Sequence, residues 1–101
     1  MDNEMMQKIL DELGMGNLPE EEKQAMMERI GKILYQAVML RVMDIMTDAQ
    51  AGQFDKAIGE NTNPEYILNY LRTQIPNFQQ IVDEEALKFK AESKAIMSLG
   101  A

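Results

Sequence analysis

Apolar residues recur along this chain at the three-and-four spacing of an amphipathic helix, in five separate stretches. The first places Met6, Ile9, Leu10 and Leu13 on one face, with Asp2 or Asn3 as its N-cap, and Gly14 stops it by taking the left-handed conformation. The second opens at Asn17-Leu18-Pro19, passes Glu20, Glu21 and Glu22 at its positive end, and continues to about Met46. Its middle, ILYQAVMLRVMDIM from Ile33 to Met46, is broken only by Gln36, Arg41 and Asp44. Spacing puts Arg29, Lys32, Gln36 and Asp44 on one side, with Arg41 near its edge, and leaves the other side apolar. A helix of such broad apolar girth must be covered by its neighbours or by another chain.

Thr47-Asp48-Ala49-Gln50 has the form of a capping box and predicts a sharp bend into a third helix. That helix carries Ala51, Phe54, Ala57 and Ile58 inward, is weakened by Gly52 and ends at Gly59. Asn63-Pro64 caps a fourth helix bearing Ile67, Leu68, Leu71 and Ile75, and Pro76 interrupts it. A fifth is expected from about Asn77 to Ser98, with Phe78, Ile81, Val82, Ala86, Phe89, Ile96 and Met97 inward. Its acids, Asp83, Glu84 and Glu85, precede its bases, Lys88, Lys90 and Lys94, as the helix dipole prefers. No stretch alternates with period two, so no strand is predicted. The expected architecture is an all-α bundle of about five helices around one long central helix, approximately residues 19–46, with no β-sheet.

At 101 residues the chain fits a single domain with a modest core. Within it, residues 1–16 form an acidic amino-terminal helix and connector that can pack at home, dock on a partner chain or stay mobile. Seventeen acidic against ten basic residues give a net charge of -7, which repels phosphate backbones and anionic lipid and argues against direct nucleic-acid or membrane binding. The excess is concentrated in Asp2, Glu4, Asp11, Glu12, Glu20, Glu21 and Glu22, offset over that stretch only by Lys8. The absence of cysteine fits a reducing cytoplasm, the acidic start is unlike a signal peptide, and the apolar run falls short of the ~20 residues that span a bilayer. A cytoplasmic protein is expected.

Catalytic chemistry finds little to work with. Without histidine or cysteine, acid/base work falls to carboxylates and lysines, and these sit where helix starts and solvated faces want them. Asp83, Glu84 and Glu85 are consecutive and point in different directions, so they cannot converge on a metal alone. Asp48 to Gly52 lacks the ligands of a calcium loop. Gly14-Met15-Gly16 follows a helix rather than a strand, and Gly31-Lys32 lacks the rest of a phosphate-binding loop. No enzymatic activity, metal or cofactor is expected.

What remains is a surplus of methionine, ten in all. Flexible thioethers fill irregular cores and also line grooves that accept partner helices. Met26, Met39, Met43 and Met46 follow the spine, and Tyr66 and Tyr70 form an i, i+4 pair that suits either a core edge or an interface. Arg41, within reach of Asp44 on a solvated face, becomes a specificity anchor if buried against a partner. These seven residues are the candidate partner-binding set. They point to a protein–protein interaction module that forms a homodimer or takes a partner helix along the spine. The alternative is an acidic decoy occupying a basic nucleic-acid-binding surface on another protein.

Three stretches, LGMGNLPEEEK (Leu13–Lys23), RIGKILYQAVMLRVM (Arg29–Met43) and NPEYILNYLRTQIPNFQQIVDEE (Asn63–Glu85), together resemble an uncharacterised family of short, acidic, all-helical bacterial proteins, a domain of unknown function. The resemblance implies a bacterial cytoplasmic protein with proline-punctuated helices. It carries over no activity, cofactor or site residue. The third helix, TDAQAGQFDKAIGEN, is richer in glycine and alanine than that pattern.

Overall fold

A computed structural model describes residues 3–61 and 63–99. Five helices follow in order, α1 (Asn3–Glu12), α2 (Glu20–Ile45), α3 (Asp48–Ile58), α4 (Pro64–Gln74) and α5 (Phe78–Leu99), with no strand among the described residues. The all-α bundle read from the sequence is the fold observed. Asp2, one of the two candidate caps of α1, lies outside the described residues.

Local signals set most of the boundaries. Gly14 takes φ +77° just past α1, a conformation that costs glycine least. The Thr47 box is complete: Thr47 Oγ1 accepts from the Gln50 amide at 3.1 Å, and Gln50 Oε1 accepts from the Thr47 amide at 3.0 Å. Gly59 closes α3 at φ +56°, and Asn63 Oδ1 accepts from the Glu65 amide at 2.9 Å to open α4. The start of α2 differs from expectation. Pro19 occupies the N-cap position itself and no side chain caps the helix, which leaves the three glutamates of the first turn to complement its free amides.

Two apolar clusters share α2 and α5 as struts. At one end Met6, Ile9, Leu10 and Leu13 pack on Met27, Ile30 and Leu34 of α2 and on Ala86 of α5. At the other, Val38 and Val42 of α2 meet Ile67, Leu68 and Leu71 of α4, then Ile75, Phe78, Ile81 and Val82. Phe78 therefore sits beside the carboxyl-terminal half of α2 and Ala86 beside its amino-terminal half, so α5 runs antiparallel to α2. Helix α1 lies parallel to α5: Met5 borders Phe78 and Val82, while Glu12 pairs with Lys90. The acidic first helix thus packs on α2 and α5 of its own chain, and half-buried Met5 touches both clusters.

One interior expectation fails. Ile96 and Met97, assigned inward on α5, are 68% and 42% exposed, because α1 ends level with Lys90 and the following turns of α5 have no helix on that side. Helix α3 buries no residue fully; Phe54 and Ile58 only lean on the second cluster.

Candidate protein-interaction surface

At 3.6 residues per turn, the residues that α2 buries, Met27, Ile30, Leu34, Val38 and Val42, span one side of the rod. The opposite side is the one to which spacing assigned Arg29, Lys32, Gln36 and Asp44. It is not a polar face. Ile33 (49% exposed), Leu40 (67%) and Met43 (65%) stand among those polar residues, with Ala37 beside them. Ile33 and Leu40 lie seven residues apart and so stand in line along the outside of the helix, and Met26, seven residues before Ile33, is half-buried.

The six candidates other than Arg41 divide among four places. Met43 alone lies fully on the outward stripe. Met39 and Met46 are half-buried against the second cluster, together with Tyr70, whose ring centroid lies 6.0 Å from that of Phe54 with the planes tilted by 57°. Tyr66 is exposed, and its hydroxyl donates to the Ala57 carbonyl at 3.2 Å, tying α4 to α3. Met26 leans on the first cluster and edges an apolar hollow shared with Met15, Leu18 and Ala25. Ile33 and Leu40, the largest aliphatic groups of the stripe, were absent from the candidate set; their seven-residue repeat was the available signal.

Arg41 corrects a further expectation. It does not pair with Asp44, one turn along the same helix, but turns to α5 and donates to Glu84 Oε2 at 3.0 Å and Glu85 Oε2 at 3.3 Å. A long side chain at the edge of α2 reaches the neighbouring helix more readily than it folds back along its own. The Arg41 guanidinium is held charged more firmly than usual, first by its bond to Glu84. Glu84 is held below the ordinary carboxylate range by the bond from Gln80, at 3.0 Å, and then by Arg41. Glu12 is lowered in the same direction by Lys90, whose ammonium donates to Glu12 Oε2 at 2.9 Å. Burial raises the Tyr35 hydroxyl. Both perturbed carboxylates are thus held ionised, the opposite of what a general acid requires.

A cleft of about 280 Å³ opens between α4, α5 and Met5 of α1 and is lined by Leu68, Arg72, Phe78 and Val82 with Glu65 and Gln79. Its guanidinium carbon lies 5.9 Å from the centroid of the Phe78 ring, so Arg72 serves to cover the core there. Among the described residues no group of three or more acidic side chains is arranged to hold a metal ion. Nor is any helix among them long and apolar enough to cross a membrane.

A family model described as "Protein of unknown function (DUF5663)" matches residues 9–93, from the middle of α1 to the last third of α5. The chain belongs to the DUF5663 family. The match takes in every buried residue of the two clusters except Met6, on the part of α1 that precedes it. No curated protein and no solved structure matches this DUF5663 chain.

Proposed function

We propose that this DUF5663 chain is a non-enzymatic protein-interaction module whose docking face is the outward stripe of α2. The observation that carries this reading is the placement of Ile33, Leu40 and Met43 on the solvent side of the longest helix, away from both clusters that form the interior. Three large apolar side chains in helical register are what an amphipathic partner helix meets in a groove or across a bundle seam. Met43 adds an adaptable thioether at one end of the stripe, and Arg41, fixed by two glutamates, stands charged at its edge. The acidic-decoy alternative draws less support: Glu12 is engaged with Lys90, and the dipole of α2 accounts for Glu20, Glu21 and Glu22.

The test is a photo-crosslinking amino acid placed at Leu40 and, as a control, at exposed Gln53 of α3, in the cells that make the protein. Position 40 is expected to give discrete protein adducts and position 53 none. Equal, weak labelling at both sites would remove the basis of the reading.

A further inference from the structure

The charges flanking the α2 stripe say what covers it. Ile33 and Leu40 are equidistant from the midpoint between Gln36 and Ala37, and so, one turn further out, are Arg29 and Asp44, all on the outward side of the helix. Ile33 and Leu40 therefore read alike from either end, and the face carries cations, Arg29 and Lys32, toward one limit and the anion Asp44 at the other. None of these charges is used at home: among the described residues the ion pairs are those of Arg41 with Glu84 and Glu85 and of Lys90 with Glu12. With Arg41 turned to α5, Asp44 is left on the stripe without the neighbour that sequence spacing offered it.

Building on the interaction reading above, we propose that the partner is a second copy of this chain, docked α2 against α2 in antiparallel orientation about a twofold axis passing near Ala37. In this arrangement Ile33 of each copy meets the partner subunit's Leu40, and Arg29 faces the partner subunit's Asp44. A twofold interface repeats each of these contacts. Parallel pairing instead sets Arg29 against Arg29 and Asp44 against Asp44, and brings the two Glu20–Glu22 runs to the same end of the dimer. Antiparallel pairing sends those runs to opposite ends, which matters for a chain with a net charge of -7. At the crossing point the small side chain of Ala37 lets the helix axes approach closely.

Surface area agrees with an incomplete coat. The chain exposes 7046 Å², whereas a compact monomer of its mass exposes about 5,800 Å². The surplus, on the order of 1,000 Å² on one chain, is no smaller than the roughly 800 Å² that each partner buries in a standard-size interface. The radius of gyration, 15.3 Å, likewise exceeds the roughly 13 Å of a compact domain of this length.

Because the chain has no cysteine, a single introduced thiol reports the register without background. Under mild oxidation Ala37→Cys is expected to form a disulfide-linked dimer well ahead of the control Gln53→Cys. Ile33→Cys and Leu40→Cys are expected to cross-link when mixed and not when oxidised separately. Sedimentation gives an independent reading: Arg29→Glu is expected to weaken dimerisation about tenfold, as two favourable pairs become two repulsive ones, and Arg29→Glu/Asp44→Arg to restore it to within about threefold. All these sites are exposed or half-buried, and circular dichroism checks that each variant is folded. Self-linking of Ile33→Cys alone, or a wild type that stays monomeric at high concentration, overturns the proposal. If Ala37→Cys stays unlinked while position 40 labels a different protein, the second copy is excluded and the docking face stands. If position 40 labels nothing, both readings fall.

Discussion

Single side chains in this molecule are sorted by which side of α2 they occupy. Leu34, 1% exposed, and Leu40, 67% exposed, have the same chemistry six residues apart on one helix. Leu34→Ala removes buried methyl groups and leaves a cavity in the first cluster, so it is expected to cost about 2–5 kcal/mol in chemical denaturation. Leu40→Glu is expected to change the stability of the isolated chain by no more than about 0.5 kcal/mol. The Glu12–Lys90 pair makes a pH prediction. Because the folded-state pKa of Glu12 lies below its ordinary 4.5, the pair's stabilisation is present above that value and is lost as pH falls through the lower folded value. The stability gap between wild type and Lys90→Gln should therefore be present at neutral pH and close on acidification, as urea titrations at both pH values would show. A gap that widens in acid would contradict the assigned pair.

Among the elements, those bounded by local signals were legible in the sequence. The Thr47 box, Gly59 and Asn63-Pro64 each act within four residues, so α3 and the start of α4 fall where the sequence puts them. Interactions that depend on distant chain were not legible. Arg41 has Asp44 one turn away, yet its partners lie 43 and 44 residues on. Ile96 belongs by spacing to the inward face of α5, and only the ending of α1 beside Lys90 shows why it is exposed. On α2 the apolar residues run so far round the helix that spacing alone did not separate the core side from the solvent side. Helix α3, with no fully buried residue, depends on its ends. Thr47→Ala is expected to cost about 1 kcal/mol, and the amides of α3 to exchange hydrogen faster than those of α4 and α5. Exchange in α3 as slow as in α5 would mean that it is held by more than Phe54 and Ile58.

For the whole molecule, two small cores strung along two antiparallel struts give a body with extents of 47 × 25 × 19 Å. A core of this form covers α2 on one side and leaves Ile33, Leu40 and Met43 exposed on the other. The central claim is that another chain, in the account above a second copy, covers that side. The rate of Met43 oxidation tests it most directly, read by peptide mass spectrometry after hydroxyl-radical labelling and normalised to exposed Met97 on α5. Met43 and Met97 are 65% and 42% exposed in the isolated chain, so in dilute solution Met43 should oxidise at least as fast as Met97. The ratio of Met43 to Met97 oxidation is expected to fall severalfold in concentrated protein and in intact cells. A ratio that stays the same in dilute solution, in concentrated solution and in cells would contradict the account.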